Sequence, residues 1–185
     1  MQGFTLIEIL IVVFIIGLTA SVISLSIGDD KKDSAPYQET RTLLQAINFV
    51  SEYTALNGEI IAMFVSQKES EGALNKSWCY SWQRFRDNQW SELPDDTLNE
   101  HCLPDTVTWE LVIEDHIYVY DPDLEIQPPV LVFSPSGEAT PVEMALFEAG
   151  VSETAQHIEI DMMGNSRWVE EDEMESGDAQ STAQE

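Results

Sequence analysis

The feature that most constrains this chain is a run of twenty residues, from Ile9 to Gly28, that contains no charged side chain. A helix rises about 1.5 Å per residue, so a helix of this run is roughly 30 Å long, the thickness of a bilayer core. A single acid, Glu8, stands at the entrance to the run, five residues after Gly3. Because a carboxylate is costly in lipid, a chain that keeps one there is expected to use it.

Two ordinary interpretations compete for this segment. A secretory signal peptide has a positive n-region and a shorter apolar core, whereas Met1-Gln2-Gly3 carries no lysine or arginine. The small residues Ala20-Ser21 and 24 to 26 leave signal cleavage open. An ordinary membrane anchor explains the length of the run but not Glu8. Neither interpretation accounts for a glycine, an aromatic residue and an acid at this spacing.

The run Gly3-Phe4-Thr5-Leu6-Ile7-Glu8, with the apolar residues after it, resembles the class III signal of type IV pilins and type II secretion pseudopilins. The resemblance implies that a prepilin peptidase cuts after Gly3 and methylates the new amine of Phe4. Residues 1–3 are then the leader, and residues 4–28 the transmembrane and polymerisation helix. The leader departs from the family pattern because it is short and has no basic residue. Either translation starts upstream, or processing relies on the residues after the cut.

Physical chemistry gives Glu8 a role that this resemblance supports. Once Phe4 carries a free amine, that positive group lies one helical turn from Glu8. In a growing filament, the amine of one subunit can meet the Glu8 carboxylate of its neighbour. An ion pair surrounded by hydrocarbon is weakly screened and can set the register between subunits. The plainer alternative is that the Glu8 side chain only reaches back to the lipid headgroups.

The charge of the remaining chain excludes one class of partner. The net charge is −26, with 34 acidic residues against eight lysines and arginines, and it lies almost wholly outside the apolar run. Such a domain repels nucleic acid and anionic lipid, so we expect no nucleic-acid partner. Lys31 and Lys32 follow the apolar run, against the usual preference for basic residues on the cytoplasmic side. The class III signal nevertheless implies a cytoplasmic N-terminus, with the domain outside.

The two cysteines, Cys79 and Cys102, form an even pair in what is then an oxidising compartment. If bridged, they close a loop that stabilises the fold by about 3 kcal/mol on the chain-entropy model. Two separate buried thiols are the alternative, and the sequence leaves both open.

The residues after the apolar run predict a hinge, a helix, a set of strands and a tail. A polar hinge is expected at 29–36. The helix is predicted at 37–57, because Leu43, Ile47 and Val50 belong to one apolar stripe, and Asn57-Gly58 ends it. Short apolar or alternating runs separated by turn residues at 59–169 predict an antiparallel two-sheet domain. The acidic residues 170–185 predict a disordered tail.

This second part narrows the resemblance to the H-type minor pseudopilins of type II secretion. The helix ending in Asn57-Gly58, the strand Trp78-Cys79-Tyr80-Ser81-Trp82 and the run from Val132 to Pro141 carry it, over residues 3 to about 169. The run contains Phe133-Ser134-Pro135-Ser136-Gly137-Glu138-Ala139-Thr140-Pro141, close to a family pattern. The implied fold is α+β and pilin-like: a long N-terminal membrane and filament helix packed on an antiparallel, β-sandwich-like pair of sheets, with residues 37–169 as the periplasmic domain.

Neither an active site nor a metal site is predicted. His101, His116 and His157 each stand without a second histidine at a metal-ligand spacing. The segment from Asp121 to Glu125 superficially resembles a calcium loop, but Ile126 and Val132 occupy the positions that need glycine and acid. The tryptophans are expected to pack in the core and its rim rather than bind a cofactor. We therefore expect no enzyme, no cofactor and no metal.

The leading functional prediction is a structural subunit of the type II secretion pseudopilus, which helps to export folded proteins across the outer membrane. The resemblance implies major and minor pseudopilins, the prepilin peptidase and the inner-membrane secretion platform as partners. It also implies a single-pass protein of the bacterial inner membrane with its C-terminal domain in the periplasm. The alternative is a minor pilin of a type IV pilus, for adhesion, motility or DNA uptake. A membrane-anchored periplasmic enzyme or receptor is a third interpretation.

Overall fold

The computed structural model describes residues 12, 14, 33–69, 76–93 and 98–172, with backbone only at 153–154. Its elements in chain order are one long helix and ten strands. They are α1 (Ala35–Asn57), β1 (Ile60–Glu69), β2 (Lys76–Arg86), β3 (Gln89–Glu92), β4 (His101–Cys102), β5 (Val107–Ile113), β6 (His116–Ile117), β7 (Leu131–Phe133), β8 (Val142–Glu148), β9 (Val151–Ile160) and β10 (Ser166–Trp168).

Helix α1 begins two residues earlier than the sequence predicted, so residues 35 and 36 do not belong to the hinge. Pro36 occupies the first turn, where its missing N–H costs nothing and its fixed φ favours helix. The helix ends where predicted: Gly58 adopts a left-handed conformation at φ 67°, and its N–H donates to the Thr54 carbonyl. Among the described residues, no helix is both long enough and apolar enough to span a membrane.

The strands form two antiparallel sheets, which confirms the predicted architecture. Sheet A has the order β3-β2-β1-β7, with β4 also paired to β2. Sheet B has the order β10-β9-β8-β5-β6. Two-residue turns with positive φ join β2 to β3 at Asp87-Asn88 and β5 to β6 at Glu114-Asp115.

The apolar run from Glu59 to Val65 predicts a strand there and a polar connection at 66–75, but strand β1 is longer than that run. Its last residues, Ser66 to Glu69, are less apolar, yet they stay paired with β2 as far as Glu69 opposite Lys76. The backbone ladder continues past the end of the apolar pattern because hydrogen bonding does not depend on side-chain polarity. The predicted polar connection at 66–75 therefore begins at least four residues too early.

The core lies between the two sheets and the inner side of α1. The helix contributes Leu43, Ile47 and Val50, all fully buried, and contacts strands of both sheets. Sheet A contributes Ile61 and Met63, and sheet B contributes its apolar inner face, with Leu111, Met144, Leu146, Ile158 and Ile160 among the buried residues. The apolar stripe predicted on the helix is thus the part that holds the two sheets together.

Candidate functional site

The predicted processing and assembly residues, Gly3, Phe4 and Glu8, lie outside the described residues. Most of the predicted apolar helix at 4–28 does too; only Val12 and Phe14 are described, both helical and both exposed. The roles of Gly3, Phe4 and Glu8 therefore remain predictions. The candidate site that can be built from geometry is the surface of the globular domain.

The first surface feature is a groove between α1 and the segment that contains β4. It has a volume of about 450 Å³, and Phe49 and Ala46 of the helix form one wall. Trp82 lies in the opposite wall, buried, with its indole Nε1 donor unpaired. The walls are mostly apolar, so the groove suits a side chain or a segment of another protein better than a polar small molecule.

An acid–histidine pair lies beside this groove. The Oε2 of Glu39 on α1 lies 2.7 Å from Nε2 of His101 on β4. The ring of Tyr80 packs on His101 with centroids 5.2 Å apart. Burial, and then the charge of Glu39, raise the pKa of the Tyr80 hydroxyl above its usual range. The phenol stays neutral, so this cluster joins helix to sheet and offers no activated nucleophile.

The two cysteines face each other across neighbouring strands. Cys79 of β2 is paired in register with Cys102 of β4, and their sulfur atoms are 2.01 Å apart, as in a disulfide. The sequence left this pairing open. The bond joins the short strand β4, only two residues long, to the centre of sheet A, and it therefore fixes one wall of the groove.

The run from Val132 to Pro141, the most distinctive part of the resemblance, forms the crossover from sheet A to sheet B. The N–H of Ser134 donates to the Glu138 carbonyl and that of Gly137 to the Ser134 carbonyl, which confirms the turn that the sequence Pro135-Ser136-Gly137-Glu138 predicts. Gly164, from the turn before β10, packs directly on this crossover: a Cβ at Gly164 would lie 2.5 Å from the Gly137 carbonyl oxygen. The run thus has a structural role.

A second acid–histidine pair ties the end of the chain to sheet B. Glu170 accepts a hydrogen bond from the His157 backbone N–H at 2.8 Å, and its other oxygen lies 2.5 Å from His157 Nδ1. The chain is helical at 169–172. The prediction of a disordered tail beginning at 170 is therefore wrong for residues 170–172, and residues 173–185 lie outside the described part.

Sequence reasoning missed Glu39 and Glu170, the two acids that pair with the histidines. Each lies far from its partner along the chain, 62 and 13 residues away, so spacing carries no signal. His116 has a local contact, in which Nδ1 donates to the Glu114 carbonyl oxygen at 2.7 Å. Within the described ranges, no three His, Cys, Asp or Glu residues converge into a set that could hold a metal ion.

Comparison with known proteins finds similarity both to the N-terminal motif and to the chain as a whole. Residues 1–24 match the family model of the prokaryotic N-terminal methylation motif. The chain is 25% identical over 185 residues to Type II secretion system protein H of Aeromonas hydrophila, covering 94% of this chain and 96% of that protein. It is 24% identical over 153 residues to the protein of the same name from Escherichia coli K12, covering 82% and 84%.

The fold is that of two solved structures of the minor pseudopilin EpsH from the type II secretion system of Vibrio cholerae. Their TM-scores are 0.57 and 0.53, each at 14% identity. The alignments cover 72% and 73% of this chain, and 92% and 96% of the solved chains. Methylation motif and fold together make this chain similar to the pilin-like class of proteins. Within that class, the resemblance of this chain to the H-type minor pseudopilins of type II secretion is confirmed.

Proposed function

We propose that this chain is a minor pseudopilin, a structural subunit of the type II secretion pseudopilus that helps to export folded proteins across the outer membrane. The observation that carries the proposal is the similarity to a type II secretion protein H along 94% of the chain. That similarity includes both the N-terminal motif and the globular domain, so it does not come from a shared membrane segment. The role is that of an assembly subunit rather than an enzyme.

Processing occurs at the N-terminus. The prepilin peptidase cuts after Gly3 and methylates Phe4, and both residues lie within the matched motif at 1–24. The helix at 4–28 holds the subunit in the bacterial inner membrane as a single span, with the globular domain in the periplasm. The Cys79–Cys102 pair is what an oxidising compartment permits.

Assembly then depends on Glu8 and on the domain surface. The Glu8 carboxylate meets the methylated amine of a neighbouring subunit inside the apolar filament core, where the pair is weakly screened. The partners are major and minor pseudopilins and the inner-membrane platform. Nucleic acid is not a partner, since a net charge of −26 repels phosphate.

The test compares Glu8→Leu with the wild type in cells that lack the native gene. We expect the variant to lose Met1–Gly3, to gain the N-methyl group, as measured by mass spectrometry, and to remain in the membrane fraction. We expect it to fail in cross-linking to other pseudopilins and to abolish secretion. Glu92→Leu, which removes the same charge from the exposed edge strand β3, is the matched control and retains secretion.

Two results would contradict the proposal. Normal secretion by the Glu8→Leu variant would remove the assembly role of that carboxylate. Normal secretion in cells without the gene, together with loss of surface pili or of DNA uptake, would instead favour the minor pilin of a type IV pilus.

A further inference from the structure

One edge of sheet B is open and carries exposed apolar side chains. Strand β6 is the last strand of the sheet, and beyond it no described strand is paired. Ile117 of β6 is 77% exposed, and Val119, just after it, is 80% exposed. Their neighbours Tyr118 and Tyr120 are half-buried, so the segment alternates as a strand does, with one side facing the core and the other facing solvent.

The backbone register leaves free hydrogen-bonding groups at this edge. Ile117 lies opposite Val112, and the Tyr118 N–H donates to the Leu111 carbonyl at 2.8 Å. In an antiparallel ladder, every second residue of a strand forms its backbone hydrogen bonds with the partner strand. The residues between them direct their N–H and C=O groups away from that partner strand. The backbone groups of Ile117 therefore point away from β5, towards the open edge.

This segment is held in place. The ring of Tyr120 packs edge-on against Trp78 of sheet A, with centroids 5.5 Å apart. The Tyr118 hydroxyl donates to Gln127, whose amide donates in turn to the Asp121 carbonyl at 2.5 Å. The exposed side chains of Ile117 and Val119 therefore belong to an anchored segment, and a partner that binds there loses little entropy in ordering it.

The surroundings of the edge are strongly acidic. Glu114, Asp115 and Asp121 are exposed next to Ile117 and Val119. The neighbouring cavity on the outer face of sheet B, of about 490 Å³, contains Glu143, Glu159 and Asp161 as well as the turn acids. No lysine or arginine occurs between residues 87 and 166 of the sequence, and the one base of β10, Arg167, is paired with Glu159.

We propose that the β6 edge binds an extended, basic segment of a partner protein as an added strand. The free backbone groups at Ile117 start the ladder, the exposed side chains of Ile117 and Val119 supply apolar contact, and the acidic rim selects lysine and arginine. A second copy of this chain is disfavoured, because each copy carries a charge of −26. The proposal goes beyond the filament role, since it concerns the chemistry of the partner and holds wherever the subunit resides.

The experiment measures binding of a labelled eight-residue peptide, in which valines alternate with lysines and arginines, to the full chain in nonionic micelles. Fluorescence anisotropy is the readout, and empty micelles are the blank. We expect saturable binding that weakens as salt is added. Ile117→Lys and Val119→Lys should each weaken it at least tenfold. Leu56→Lys is the matched control, because it adds the same charge on the exposed end of α1, where Leu56 is 85% exposed, and it should change binding less than twofold.

Two further peptides separate strand addition from simple charge attraction. The glutamate analogue of the peptide should not bind, and a basic peptide with proline in place of alternate residues should bind at least tenfold more weakly, since proline cannot donate to a ladder. The proposal is overturned if the proline peptide binds as well as the original, if Leu56→Lys weakens binding as much as Val119→Lys, or if the original peptide does not bind. Wild-type thermal stability in each lysine variant shows that the domain is folded.

Discussion

Glu170 contacts His157 at two points, through one carboxylate oxygen 2.8 Å from the backbone nitrogen and the other 2.5 Å from ring Nδ1. This contact docks residues 169–172 on strand β9. Next to it, Trp168 packs on Tyr37 of α1 with ring centroids 4.6 Å apart, and its indole donates to Gln156. The end of the described chain, at Trp168, therefore packs on the first turns of α1, at Tyr37.

We expect Glu170→Ala to lower the free energy of unfolding by about 1 kcal/mol, because the His157 N–H loses its acceptor. Chemical denaturation of the full chain in nonionic detergent measures the loss. Glu171→Ala is the control: it removes the same charge from the adjacent exposed position, where the structure describes no hydrogen bond to the side chain. Equal effects of the two substitutions would mean that charge, and not the contact with His157, determines the change.

Loss of the Cys79–Cys102 bond should destabilise the domain. Because the bond closes a loop with a sequence separation of 23, the double variant Cys79→Ser, Cys102→Ser should lose about 3 kcal/mol of unfolding free energy. Thiol titration of the unfolded protein should find no free thiol before reduction and both after it. Two reactive thiols in the unreduced protein, or a double variant as stable as the wild type, would contradict this expectation.

Gly164 and Gly150 form a matched pair for testing the crossover. Both have positive φ, 74° and 89°, so alanine at either strains the backbone by about 1 kcal/mol. At Gly150 a Cβ meets nothing within 4 Å, whereas at Gly164 it lies 2.5 Å from the Gly137 carbonyl oxygen. We therefore expect Gly164→Ala to lower the melting temperature clearly more than Gly150→Ala. Equal shifts would show that the turn at Gly164 can move away from the crossover without loss.

Asp161 should contribute a pH-dependent stabilisation of the turn before β10. Hydrogen bonds from the side chain and backbone of Asn165, and from the Met163 backbone, lower the pKa of this carboxyl from its ordinary value of 3.8. A depressed pKa in the folded state means that the stabilisation is present above pH 3.8 and is lost as the pH falls through the folded pKa.

The measurement is the difference in unfolding free energy between wild type and Asp161→Asn as a function of pH. We expect the wild type to be more stable at neutral pH and the difference to shrink as acid protonates Asp161. Glu125→Gln, at an exposed position, is the control and should show no such trend. A difference that stays constant down to acidic pH would refute the role of the ionised carboxylate.

Local patterns predicted the parts of the fold that depend on near neighbours. The apolar stripe of α1 and the glycine that ends it follow from residues a few positions apart, and the structure agrees with both. The predicted bounds are wrong where contact with a residue distant in the sequence makes a structured segment longer than its local pattern indicates. Strand β1 continues to Glu69 because β2 pairs with it, and residues 170–172 dock on sheet B because the His157 backbone N–H donates to the Glu170 carboxylate.

The sequence by itself indicated which class of protein this chain resembles. The glycine, phenylalanine and acid ahead of a charge-free run predict processing and membrane insertion, and the acidic composition predicts that nucleic acid is not a partner, because these properties are sums over local chemistry. The tertiary structure decided which residues lie on the surface of the domain and which distant residues meet. Only the order of the strands in sheet B puts Ile117 and Val119 on an open edge, and only the packing of α1 on the sheets brings Glu39 to His101 across 62 residues. Those contacts depend on how the chain closes in space, which no local pattern encodes.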